Sequence, residues 1–145
     1  FLHCTTVPIV CYYVQGCRCV APCKEAVFVV GCGHSGTTFL TRIVGAHPEY
    51  SAIMAETGWF STYGGTRVAF ESFRKESVGC GRSGKRVIVE KTPKHILSLD
   101  KVVQNFPTAK ILLIYRDGRD VALSLAKRFR YPLDNRFAVC MAAGR

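Results

Sequence analysis

From residue 24 onward, unbroken apolar runs alternate with apolar stripes. "AVFVVG" (26–31) is a short apolar run ending in glycine, the pattern of a strand buried on both faces. In "GTTFLTRIVGAH", which follows, Phe39, Leu40, Ile43 and Val44 are spaced to share one helical face, and Pro48 ends the segment. "RVIVE" (86–90) predicts a second buried strand. "TPKHILSLDKVVQNFP" predicts a helix: Thr92 caps it, Pro93 suits its first turn, and Ile96, Leu99, Val102, Val103 and Phe106 form an apolar stripe. "KILLIYR" (110–116) is a third strand and "GRDVALSLAKRF" a third helix. This alternation predicts an α/β fold, a parallel sheet with right-handed crossovers flanked by helices. Residues from about 50 to 85 read as one long connection rich in Gly, Ser and Thr, with a short helix at "TRVAFESFRKE". A connection of that length in a compact domain is usually functional.

Residues 1–24 have no such period. They are rich in cysteine and contain Pro8 and Pro22, so they read as a leader outside a domain that occupies 25–145. Of eight cysteines, Cys4, Cys11, Cys17, Cys19 and Cys23 fall in this leader, and their spacing matches no paired CxxC metal pattern. The remaining cysteines stand apart, and nothing in the sequence pairs them. The chain starts at Phe1 and stops within "RFAVCMAAGR", a helical pattern, so it reads as the N-terminal part of a longer domain. Its longest early apolar run, "VPIVCYYV", is far short of the roughly 20 residues that span a membrane. The net charge of +10 points to an anionic ligand or surface.

Ligands of parallel α/β sheets bind at the carboxyl ends of the strands. Here each predicted strand ends in polar chemistry: "GCGHSGTT", "EKTPK" and "YRDGRD". The first has the GxxxxG frame of a phosphate loop between a strand and a helix. Gly31, Gly33 and Gly36 allow close backbone approach, the helix start attracts an anion, and Ser35, Thr37 and Thr38 add hydroxyls. A nucleoside-triphosphatase carries lysine where this chain has Thr37. Lys91 ends the second strand and Arg116 the third; an ammonium and a guanidinium both suit phosphate. No cluster of His, Cys or carboxylates in the domain has metal-ligand spacing, so no metal is expected.

Together these loops resemble those of the sulfotransferases that use 3′-phosphoadenosine 5′-phosphosulfate (PAPS). "GCGHSGTTFL" resembles their 5′-phosphosulfate loop, and "YRDGRDVALS" their 3′-phosphate motif, with Arg116 and Ser124 at the matching positions. "GAHPEYSAIMAETGWF" and "VEKTPKH" resemble segments of the group that contains tyrosylprotein and many bacterial sulfotransferases. In that group a glutamate matching Glu56 is the base and a lysine matching Lys91 is catalytic. The cytosolic small-molecule enzymes have a lysine–threonine–histidine run with a histidine base, whereas Pro93 stands at the third position here. His34 stands where the family usually has Arg or Lys.

The resemblance implies a P-loop-like fold and PAPS-dependent sulfuryl transfer to an acceptor hydroxyl, on protein tyrosine, sugar, lipid or a small molecule, with PAP as product. Gly33, His34, Ser35, Gly36, Thr37, Thr38, Arg116 and Ser124 then hold the nucleotide, while Glu56 and Lys91 act on the reacting atoms. His47 and His95 are rival bases. Bacterial relatives are cytoplasmic, and eukaryotic ones of the tyrosylprotein kind sit in the Golgi. A P-loop kinase or nucleoside-triphosphatase is the second reading, and a non-enzymatic binder of nucleic acid or another anion the third. The basic residues are spread over several segments rather than one stripe, which speaks against nucleic acid.

Overall fold

A computed structural model describes residues 22–60 and 66–129. Its first strand, β1 (Glu25–Gly31), is buried at every position after Glu25, as its unbroken apolar run requires. The chain continues through α1 (Thr37–Gly45), β2 (Tyr50–Ala52), α2 (Thr66–Arg82), β3 (Val87–Lys91), a 3-10 helix (Pro93–Ser98), α3 (Leu99–Asn105), β4 (Lys110–Ile114) and α4 (Gly118–Phe129). The strands form one parallel sheet in the order β2-β3-β1-β4. β1 therefore lies where the crossovers turn from one side of the sheet to the other, the position at which such sheets bind ligands.

Strand alternation divides the core into two layers. Ala26, Phe28 and Val30 face Trp59, Phe60, Ala69 and Val102. Val27 and Val29 join Val87 and Val89 on the opposite face, against Leu40 and Val44 of α1. Helices thus cover both faces of a parallel sheet, the architecture expected from the alternating pattern.

Several local expectations need correction. In α1, Leu40 and Val44 pack inward, but Phe39 and Ile43 are 69% and 55% exposed. The helix buries Thr37 and Thr41 instead, and the Thr41 hydroxyl donates to the Thr37 carbonyl at 2.8 Å. A hydroxyl satisfied within its own helix can enter a core at little cost. The supposed long connection contains β2, paired in parallel with β3, and a helix that runs on to Arg82. The stretch left between β2 and α2 spans 53–65 and includes Glu56. The helix expected over 92–107 divides at Ser98, whose φ of −139° is not helical, into a 3-10 turn and α3. The third strand ends at Ile114, two residues before Arg116.

Cys80, unpaired on sequence grounds, is bonded to Cys23, and both are buried. The bond fastens the residues before β1 to the end of α2. Cys23 also exchanges hydrogen bonds with Ser77: its N–H donates to the Ser77 carbonyl at 3.1 Å and its carbonyl accepts the Ser77 hydroxyl at 2.5 Å. The other leader cysteines and the helical pattern at 136–145 lie outside the described residues.

Candidate active site

Parallel pairing brings the ends of β1, β3 and β4 to one edge of the sheet. Val29 of β1 is level with Lys91, and Gly31 is level with Ile114. At Gly31 the strand passes so close to β4 that a Cβ would sit 2.5 Å from the Ile114 carbonyl oxygen. Only glycine permits that approach. The loop turns at His34, which holds φ 65°, and again at Gly36, with φ 105°. His34 is the one non-glycine with positive φ among the described residues. A left-handed histidine is uncommon, and such strain concentrates at functional sites.

Gly36 is the N-cap of α1 and provides no side chain to its first turn. The amides of that turn lack intrahelical acceptors and make a place for an anion. Thr38 is exposed at this end, whereas Thr37 is buried. The Ser35 hydroxyl donates to the Cys32 carbonyl at 2.5 Å, so it closes the loop rather than standing free.

β4 and α4 reach the same loop. Arg116 NH1 donates to the His34 carbonyl at 3.4 Å, and Ser124 Oγ lies 3.3 Å from His34 Nδ1. The motif that follows β4 therefore converges on residue 34 from two positions. Asp117 caps α4: one carboxylate oxygen accepts the Arg119 backbone N–H at 2.8 Å. Both its oxygens also accept from the Arg119 guanidinium, at 3.1 and 2.8 Å. These hydrogen bonds lower the Asp117 pKa to about 2. Asp117 and Asp120 thus serve the start of α4, the latter 3.7 Å from Arg116 Nε.

Lys91 Nζ donates to Glu56 Oε1 at 3.1 Å. The lysine side chain is 5% exposed and the glutamate 55%. A buried cation beneath a solvent-facing carboxylate places an acid–base group beside a group able to hold negative charge.

The next residue pair continues the contact on the other side of β3. Thr57 Oγ1 donates to Glu90 Oε1 at 2.7 Å, and Thr92 Oγ1 donates to the same oxygen at 2.6 Å. Glu90 Oε2 lies 3.1 Å from His95 Nδ1. The Phe60 N–H donates to His95 Nε2 at 3.2 Å, which fixes the hydrogen on Nδ1 and makes His95 a donor to Glu90. With both nitrogens engaged and the ring fully buried, His95 is in no position to act as a base on an acceptor. His47 is a local cap, its Nδ1 accepting the Glu49 N–H at 3.3 Å. Sequence reasoning missed Glu90 and Thr57, because a buried polar residue carries no apolar signal, and read Thr92 as a helix cap, whereas its hydroxyl makes no capping hydrogen bond and donates to Glu90 instead.

The sequence model of the sulfotransferase family matches residues 49–138. The chain belongs to the sulfotransferase family. The match covers β2 through α4 and contains Glu56, Lys91, Arg116 and Ser124. It begins after the loop that follows β1, which the contacts of Arg116 and Ser124 with His34 join to the matched segment. No match is found among curated proteins. Among the described residues of this sulfotransferase, no His, Cys, Asp and Glu side chains gather into a metal-binding group. No helix among them is long and apolar enough to cross a membrane.

Proposed function

We propose that this sulfotransferase moves a sulfuryl group from PAPS to a hydroxyl-bearing acceptor, with Glu56 as base and Lys91 as the cation at the leaving oxygen. The 3.1 Å contact between Lys91 and Glu56 at the carboxyl end of β3 carries the reading. It pairs a proton acceptor open to solvent with a positive charge held in the protein interior.

The residues present fit such a donor. The uncapped start of α1 and the left-handed turn at His34 suit its phosphosulfate. Gly33, His34, Ser35, Gly36, Thr37 and Thr38 shape that end, chiefly through backbone amides and the exposed Thr38 hydroxyl. Arg116 and Ser124 hold the 3′-phosphate, and so favour this nucleotide over ATP. When bound, PAPS supplies an activated sulfuryl group on a phosphate oxygen. Glu56 takes the acceptor's hydroxyl proton as the acceptor oxygen bonds to sulfur. Lys91 holds the charge that collects on the phosphate oxygen as its bond to sulfur breaks. Sulfuryl transfer resembles loose phosphoryl transfer, so placement and charge stabilisation supply most of the rate.

Thermal melts of the full chain with PAP, or with ATP and magnesium, test the donor. A ligand that binds the folded state at 100 times its Kd stabilises by about 2.7 kcal/mol. Stabilisation by PAP, with release of PAP from PAPS in the presence of a phenol or sugar hydroxyl, is the expected result. Stabilisation by ATP and magnesium alone would transfer the chain to the nucleoside-triphosphatase reading.

A further inference from the structure

Glu90 is completely buried, level with Phe28 on β1 and in contact with His95, whose ring packs against Phe28 and Phe60. A charge in such a place is costly unless it is fully paired. It is paired by a set of donors that converge on one carboxylate. The Thr57 and Thr92 hydroxyls reach one oxygen, and His95 Nδ1–H reaches the other. Each donor also accepts from the loop. Thr92 Oγ1 takes the Gly58 N–H at 3.1 Å, Thr57 Oγ1 the Trp59 N–H at 3.4 Å, and His95 Nε2 the Phe60 N–H at 3.2 Å. Successive amides from 58 to 60 are thereby fastened, through intermediate side chains, to a single buried group on β3.

The placement of this group relative to the reacting pair matters. Glu90 and Lys91 are neighbours on β3 and point to opposite faces. Their partners, Thr57 and Glu56, are neighbours in the loop. The loop is therefore clamped across the end of the strand on both faces, and one clamp sets where the other falls. Glu56 itself is more than half exposed.

We infer that the buried Glu90–His95 pair, acting through Thr57 and Thr92, is a positioning device that holds Glu56 opposite Lys91. The inference rests on the reading of Glu56 as the base. Thr57 is its most accessible link: Thr57→Val keeps the shape and removes the hydroxyl, whereas Thr57→Ser keeps the hydroxyl. A displacement of about 1 Å at a reacting group can cost about a hundredfold in rate.

The experiment compares Thr57→Val, Thr57→Ser, Glu56→Gln and the double variant Thr57→Val/Glu56→Gln in the full chain, by turnover and by PAP titration. Expected is a ten- to hundredfold fall in kcat for Thr57→Val with PAP affinity unchanged, recovery in Thr57→Ser, and no further loss when Thr57→Val is added to Glu56→Gln. Trp59, the only tryptophan of the chain, lies in the clamped loop, so its emission reports the same release without any assay of activity. His95→Gln, whose amide oxygen can still accept from Phe60 but whose NH2 is displaced from the Nδ1 position that serves Glu90, should repeat the kinetic result if Thr57→Val fails to fold. Normal kcat in Thr57→Val beside a slow Glu56→Gln overturns the positioning role and leaves the base in place. An equal further loss in the double variant shows that Thr57 acts elsewhere, and also overturns it. Near-normal turnover in Glu56→Gln removes the base assignment, and the positioning role with it.

Discussion

Ser124 Oγ lies 3.3 Å from Nδ1 of His34, across 90 residues of sequence. Arg116 reaches the carbonyl of the same histidine. The loop after β1 and the motif after β4 are therefore one unit, and a change in either is felt at the other. Such direct contacts let a ligand held by either element order the other.

Arg116→Ala is expected to weaken PAP far more than adenosine 5′-phosphosulfate, since only PAP carries the 3′-phosphate that Arg116 is assigned. A charge-assisted hydrogen bond is worth about 1.5–3 kcal/mol, roughly ten- to a hundredfold in affinity. Calorimetric titration of both ligands decides the matter. Equal losses would mean that Arg116 acts through its contact with the loop, not on the phosphate.

His34 separates backbone from side-chain effects. Its φ of 65° suits glycine and strains alanine by about 1 kcal/mol. His34→Gly should therefore be more stable than His34→Ala in denaturant melts, while both lose the ring contact to Ser124 and bind PAP more weakly. Equal stability of the two variants would show that the loop relaxes out of the left-handed turn.

The same region shows how far sequence carries. β1 and β3 are legible because buried parallel strands are continuous apolar runs. β4 shows the same kind of run although it is an edge strand with no fully buried position, and α4 follows from "GRDVALSLAKRF". α1 is half legible: its inner face is completed by Thr37 and Thr41, which polarity assigns to the surface. β2 has too few residues to show a period, yet it divides the segment from 50 to 85 and leaves Glu56 in a much shorter loop. Lys91 and Glu56 are each readable from a motif, but their contact depends on Glu90, Thr57, Thr92 and His95. Those are polar residues whose burial is balanced by one another, and no single-residue pattern marks that balance.

Reduction of the Cys23–Cys80 bond should destabilise the chain. The bond closes a sequence separation of 57 residues. The chain-entropy estimate for such a loop is about 4 kcal/mol, an upper figure when the reduced chain retains structure. A lower denaturation midpoint in reductant, matched by the Cys23→Ala/Cys80→Ala variant without reductant, is the expected observation. An unchanged midpoint would mean that the thiols are free in solution.

Asp117 sets an acid limit on the start of α4. Its folded pKa is lowered from 3.8 to about 2 by the Arg119 side chain and backbone. A lowered value means stability present above the unfolded pKa and lost as pH falls through the folded one. The difference in melting temperature between wild type and Asp117→Asn should therefore hold above about pH 4 and vanish toward pH 2. Asparagine keeps the capping acceptor, so the comparison isolates the charge. Because the pair is exposed, the difference should be small and should shrink with salt. A difference constant from pH 6 to pH 2 would assign it to the cap.

Glu56 is the group on which the proposed chemistry depends most. Its carboxylate faces solvent while Lys91 beneath it is buried, so an incoming acceptor meets Glu56 first. Glu56→Gln preserves size and a hydrogen-bond acceptor for Lys91 but removes the proton acceptor. Turnover should fall by two to four orders of magnitude, the usual contribution of a general base, with PAP affinity retained. Lys91→Ala should also slow turnover, but with weaker PAP binding, because the ammonium is assigned to the nucleotide side. It should also lower stability, since a buried side chain is lost. The measurement is PAP release from PAPS with a hydroxyl acceptor, beside a PAP titration for each variant. If Glu56→Gln turns over near normally, the base assignment fails, and the fully buried His95 does not replace it.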